Sequence, residues 1–256
     1  MNLTVWIPEI LNELIRILGI FIIVMIFEYF WGPKQKIDFK NHLINILGAV
    51  ILIIFGSGLM FYIQSFLPYY IIKESFIRNE YLYAFCFIFL YDFFYYFYHR
   101  LQHKWKPLWK IHQFHHTDPN MNVLTSHRSH FLERIIQVTI IGFPVYLILG
   151  HNVDAFRIIF ILFLFFLVYT HINIQIPHYG LTKIFVGPCV HRIHHSINKS
   201  EHNSNFAQIF PLFDILFGTF KMPDKKKIIT GMVNCKEYKT QIKTMIWPIL
   251  GINTDE

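Results

Sequence analysis

Five stretches of this chain are apolar over lengths that approach or exceed the thickness of a bilayer, and this limits the folds open to it. A spanning helix takes about 20 mostly apolar residues. Residues 10–31, 43–67, 81–98, 135–150 and 153–172 are of this kind. Inside hydrocarbon every backbone polar group needs an internal partner, so such segments fold as helices. The expected class is an all-α integral membrane protein with four or five membrane helices. Glu13, Arg16 and Glu28 interrupt the first stretch, and Glu13 and Arg16 are spaced to meet near an interface. Gly142 and Pro144 predict a kink in the fourth. Only a few residues around His151 and Asn152 join the fourth to the fifth, which predicts a tight hairpin. Composition agrees: 15% of residues are charged, against about 25% in an average soluble domain. No basic n-region with a small-residue cleavage site is evident, so the first stretch reads as a retained anchor.

Charge orients these segments. If the five cross in turn, the loop 32–42, the region 99–134 and everything after 172 share one side. That side holds nineteen of the 23 lysines and arginines, including the run Lys225, Lys226 and Lys227. Lys73 and Arg78 fall on the other side. The positive-inside rule makes the basic side cytoplasmic. The net charge of +7 is thereby explained by topology, and no nucleic-acid partner is expected.

Eight of the fifteen histidines fall into three tight sets: His99 with His103, His112 with His115 and His116, and His191 with His194 and His195. Positions i, i+3 and i+4 share a helix face, so each set aims its imidazoles together. A ninth, His171, ends the last apolar stretch. All nine fall on the cytoplasmic side. Imidazoles gathered in this way point to metal. Nine exceed the three or four protein ligands of one zinc and suit two metals with four or five nitrogens each. Neutral imidazole serves iron, zinc and copper alike, so this pattern leaves the metal open. Cys86, Cys189 and Cys235 are far apart and form no CxxC pair, which argues against a disulfide framework and a thiolate site.

The stretch DFFYYFYHRLQHKWKPLWKIHQFHHTDPNMNVLTSHRSHFLE, with THINIQIPHYG and GPCVHRIHHSINKSEHNSNFAQIFPLFDILFGTF after it, resembles the fatty acid hydroxylase/sterol desaturase superfamily over roughly residues 85–221. The resemblance implies a four-helix membrane core under a cytosolic histidine-rich cap and a non-haem di-iron centre of two Fe ions. It implies use of O₂ to hydroxylate or desaturate a membrane lipid. Its ligands carry over to His99, His103, His112, His115, His116, His171, His191, His194 and His195. On this reading residues 1–80 are N-terminal membrane helices, 81–221 the di-iron domain and 222–256 a cytosolic tail. The membrane is the endoplasmic reticulum in a eukaryote or the inner membrane in a bacterium.

A tenth ligand or a supporting partner has several candidates. His130 stands where the sterol desaturase branch often has histidine. Some branches carry a second histidine four residues after the one matching His171, and here that position is Gln175. His202 precedes the Asn205-Phe206 pair. Asp92 lies two turns before His99 on one helix face, placed to hydrogen-bond a ligand imidazole or to tie the bundle together. Asp214 reads as structural. His42, His127, His151 and His178 have no motif support. Phe93, Phe94, Tyr95 and Phe97 either pack helices or line a lipid channel.

The sequence contains no GxGxxG fingerprint, CxxCH haem motif or iron–sulfur cysteine set. Electrons are therefore expected from a separate donor, cytochrome b5-like or ferredoxin-like, and the basic face suits an acidic carrier. Hydroxylase and desaturase are not distinguished, because both begin with the same hydrogen abstraction. A non-enzymatic metal-binding or transport protein would carry ionisable groups along its spans, and these spans are nearly free of them.

Overall fold

The structure is a computed structural model, and it describes residues 3–33, 38–52, 73–174, 179–222 and 228–246. Its main elements are α1 (Leu3–Trp31), α2 (Phe39–Ile51), α3 (Glu80–Lys104), α4 (Lys106–His116), α5 (Phe131–Leu149), α6 (Val153–His171), α7 (Pro188–His194), α8 (Leu212–Leu216) and α9 (Tyr238–Ile246). Short 3₁₀ turns link them, and the described residues contain isolated β-bridges but no strand.

Helices α3, α5 and α6 are long and apolar enough to cross a membrane, and α1 carries a shorter apolar portion, Leu18–Trp31. The three match the third, fourth and fifth expected segments, while α1 covers the first with a shorter apolar portion than a span requires. The second, 43–67, is seen only in its first part, within α2; the remainder lies outside the described residues, as does the basic run 225–227. Apolar side chains on α1 and α6, such as Ile22, Ile23, Phe156 and Phe165, are exposed, as a lipid-facing surface requires.

Local chemistry sets the helix ends. Asn79 caps α3 by accepting the Leu82 N–H at 2.9 Å, and Asn152 caps α6 by accepting that of Ala155 at 3.1 Å. Trp105 takes an extended conformation between α3 and α4. Pro107 then sits in the first turn of α4, where a missing N–H costs nothing. The kink expected from Gly142 and Pro144 takes the form of a π-helical turn, Val138–Gly142, in which the Phe143 N–H reaches back to the Val138 carbonyl. Pro144 has no N–H to offer, and a wider turn accommodates the missing donor.

The hairpin between α5 and α6 closes on Gly150, at φ 75°. A Cβ there would stand 2.7 Å from the Lys73 carbonyl oxygen and 2.8 Å from the Ser75 backbone. Tyr83 donates to the Gly150 carbonyl at 2.6 Å. The Lys73–Arg78 segment thus packs at the far end of the bundle from the histidines.

Helix α3 is the central post. Tyr83, Ala84, Phe87, Ile88 and Tyr91 pack on Ile141, Val145 and Leu149 of α5 and on Ala155 and Ile159 of α6. Phe94 and Tyr95 join this core. Phe93 and Phe97 instead meet Phe213 and Phe217, at or beside α8, with ring centroids 5.4 and 5.0 Å apart. The aromatic third stretch therefore serves helix packing on both of its faces.

Candidate metal centre

The nine histidines converge where α3 and α6 end. Helix α3 supplies His99 and His103, α4 supplies His112, His115 and His116, α6 ends on His171, and α7 supplies His191 and His194 with His195 at its C-cap. They form two groups. His99, His103, His112, His116 and His194 make one, and His115, His171, His191 and His195 the other. Within each group the ring nitrogens offered lie within 4.8 Å of one another. All are buried except His103, which is half-buried.

The sequence sets are therefore divided between groups, and helix geometry says how. At about 100° per residue, i and i+4 lie about 40° apart, while i+3 lies about 60° away on the other side. His112 and His116 stay together and His115 turns to the second group. His191 and His195 stay together and His194 turns to the first.

The contacts between rings show which ring nitrogens are free to bind a metal. His99 donates Nδ1–H to the Phe206 carbonyl at 2.7 Å. His112 donates Nδ1–H to Glu133 Oε1 at 2.9 Å. Carbonyl and carboxylate oxygens only accept, so in the neutral rings both Nε2 atoms carry lone pairs. Yet these two atoms lie 3.0 Å apart. The second group repeats this. His115 donates Nδ1–H to the Arg128 carbonyl at 3.1 Å, His171 to the Leu167 carbonyl at 2.8 Å, and their Nε2 atoms are 3.3 Å apart. Nε2 contacts of 3.1–3.2 Å join His112 to His116, His171 to His191 and His191 to His195.

Facing lone pairs repel unless a cation lies between them. Two nitrogens each bonded to one ion at about 2.0–2.1 Å stand about 2.9–3.4 Å apart for the usual inter-ligand angles. The donor sets fit metal on both sides. The buried Nε2 atoms of His103 and His194 have no hydrogen-bond partner, as suits a nitrogen reserved for metal.

On α4 and α7 and at the α7 C-cap, burial favours the neutral, ligating form of five rings. It pushes His115 down to about 4 and His194 to about 3. His116, His191 and His195 fall well below the usual histidine range, through burial first and neighbouring imidazoles second.

Two carboxylates build the floor of the site at one remove. Asp92 touches no imidazole. It accepts the amides of Gln208 at 2.9 Å, Ile209 at 3.2 Å and Phe210 at 2.6 Å. Asp214 accepts those of Phe206 and Ala207, both at 2.8 Å, together with the Thr219 hydroxyl at 2.7 Å. Between them they hold the loop whose Phe206 carbonyl receives His99 and whose Ser204 carbonyl receives His194 at 2.9 Å.

The remaining candidates stand outside both groups. His130 caps α5, its Nδ1 accepting the Leu132 N–H at 3.2 Å. Asn205, at φ 56°, donates to the Val190 and Lys221 carbonyls and accepts the Lys221 N–H. His202 is exposed. Gln175 and His178 lie outside the described residues.

Sequence reasoning passed over Glu133 and two buried charged groups, Asp118 and Arg128, which share Asn41 and Asn45 as partners. Asp118 accepts from Asn41 at 2.6 Å, Asn45 at 2.9 Å and Thr125 at 2.6 Å. Arg128 donates to the Phe114 carbonyl, Thr117, Asn41, Asn45 and Gln241, so that α2, α4 and α9 are tied together beside His115. Burial works to raise Asp118, but Arg128 and these donors hold it below its usual range. Burial brings Arg128 down to about 10. An acid at the start of an apolar span is expensive without a partner, and that signal marked Glu133 in the sequence.

Helical spans capped by two groups of buried histidines define a membrane protein built to hold metal. The fatty acid hydroxylase family model matches residues 84–219, and the chain belongs to that family. It is 32% identical over 130 residues to the ornithine lipid hydroxylase OlsE of Rhizobium tropici, covering 49% of this chain and 39% of that one. It is 32% identical over 147 residues to the alkylglycerol monooxygenase of Xenopus tropicalis, covering 55% and 32%. For the human alkylglycerol monooxygenase the match is 30% over 128 residues, covering 50% and 28%. The chain thus spans well under half the length of these relatives. No solved structure matches it significantly.

Proposed function

We propose that this protein is a membrane-bound non-haem di-iron oxygenase that hydroxylates a C–H bond of a lipid, using O₂ and electrons from a separate donor. The observation that carries the reading is the pair of histidine groups, five and four, each with its Nε2 lone pairs turned inward. The relatives named above as a lipid hydroxylase and as monooxygenases favour hydroxylation over desaturation.

Iron bound here would supply reductive activation of O₂ and attack on an unactivated C–H bond. The chain's own residues do the rest. His99, His103, His112, His116 and His194 would hold one ion, and His115, His171, His191 and His195 the other. The smaller group leaves room for a further small ligand. Carbonyls of Phe206, Ser204, Arg128 and Leu167 fix five rings with the help of Glu133, by taking the Nδ1 protons and presenting Nε2. Burial of eight of the nine rings keeps water from the site, and the lipid enters from the bilayer beneath the cap. The histidine end faces the cytoplasm, where its basic surface receives an acidic cytochrome b5-like or ferredoxin-like carrier. Residues 81–221 form the catalytic unit, with 1–80 as added membrane helices and 222–256 as a cytosolic tail.

Metal analysis of the protein purified in detergent tests the centre: two irons per chain are expected, and one zinc with no iron would overturn it. Lipid extracts from cells with and without the protein, compared by mass, test the reaction. A product heavier by one oxygen is expected. A product lighter by two hydrogens would assign a desaturase instead.

A further inference from the structure

Glu133 differs from every other group that receives an Nδ1 proton in the two histidine groups. His99, His115, His171 and His194 donate to backbone carbonyls. Of the nine clustered histidines, His112 alone donates to a carboxylate, with 1% and 4% of the two side chains exposed. His112 is also the ring at the middle of its group, its Nε2 lying 3.0 Å from that of His99 and 3.1 Å from that of His116.

Glu133 is itself held in place. Its Oε1 accepts from Gln102 at 3.0 Å and from Gln137 at 3.4 Å, besides His112. Gln102 lies on α3 one turn from His99, and Gln137 lies one turn further along α5. The carboxylate therefore joins the helices of the first two histidine sets to the start of α5. Its Oε2 is buried with no partner. A buried carboxylate so sparingly matched by cations needs positive charge nearby. The described residues place no lysine or arginine within ion-pair distance of it, and the five-histidine group lies one imidazole away.

We propose that Glu133 is a positioning residue of the metal centre, which orients His112, makes it the strongest donor of the nine, and so renders the five-histidine site the tighter of two unequal metal sites. The inference rests on the two-metal reading above. A carboxylate behind a ligating imidazole fixes its tautomer and raises its basicity, and loss of such a partner costs 10–100-fold in metal affinity as a general magnitude. The charge of the carboxylate also offsets part of the charge that two cations would place in a site of neutral ligands.

The test is anaerobic ferrous-iron titration of the full-length protein in detergent, with bound metal counted by mass spectrometry. Wild type is titrated first, since failure to bind two equivalents would overturn the two-metal reading rather than this one. Glu133→Leu removes the acceptor and the charge, and is expected to weaken one equivalent by about 10–100-fold while the other is unchanged. Glu133→Gln keeps an acceptor oxygen of the same size, and is expected to restore part of that loss. Cobalt(II) loading supplies a spectroscopic reading, in which the ligand-field bands of one equivalent shift in the Gln variant. If Leu prevents folding, judged by helix content and gel filtration, the Gln variant decides alone. Two equivalents at wild-type affinity with unshifted bands in every folded variant would overturn the proposal, as would equal weakening of both.

Discussion

Asp92 and His99 lie two turns apart on α3, and both are fastened to one loop: Asp92 takes the amides of Gln208, Ile209 and Phe210, and His99 gives its Nδ1–H to Phe206. The helix that presents the imidazole thus also anchors the carbonyl that orients it. Asp92→Asn turns an acceptor into a donor against backbone N–H groups. It is expected to cost about 1–3 kcal/mol and to loosen His99. Thermal unfolding in micelles and iron retention on dialysis should both fall, and a wild-type midpoint would contradict this.

The division of the histidines predicts which metal each variant loses. His112→Ala belongs to the group of five and His195→Ala to the group of four. Each should lose one equivalent of iron first, and both should abolish the hydroxylated lipid. Product formation at wild-type levels by both would show that the centre lies elsewhere.

Acid should release the metal and weaken the metal-free fold. His115 and His194 have folded values of about 4 and about 3, below the unfolded value of about 6.5. As pH falls below that value the unfolded chain takes up protons that the folded chain refuses. Stability is therefore full above about pH 6.5 and declines as pH drops toward about 3. Unfolding midpoints of metal-free protein at about pH 7.5 and about pH 5 check the sign, and a higher midpoint in acid would refute it.

Removing the Arg128 charge alone should cost more than removing it together with the Asp118 charge. Arg128→Met leaves Asn41, Asn45, Thr117 and Gln241 without their shared donor and takes a positive charge from the neighbourhood of the buried Asp118 carboxylate, an effect of about 1–3 kcal/mol. Adding Asp118→Asn should recover part of the loss. Denaturant unfolding of the single and double variants measures the difference, and an unchanged single variant would show that Arg128 does not support this network.

Much of the site was legible in the sequence because its signals are short-range. Spacing of three and four residues follows from helix pitch, so His112, His115 and His116 announce a shared face without tertiary information. The apolar lengths of 81–98, 135–150 and 153–172 likewise mark α3, α5 and α6. Asp92 was visible as an acid on the histidine helix. Its partners were not, since the amides of 208–210 approach it only after folding.

The sequence by itself determined that this chain is helical, that its apolar segments suit a membrane, and that nine histidines serve one end of it. Tertiary structure decided how those nine divide into five and four, and which atoms orient them. Backbone periodicity sets the direction of each ring from its own helix. The identity of the neighbour it meets depends on how α3, α4, α6 and α7 pack, and on a carboxylate, Glu133, that lies 21 residues from the imidazole it holds.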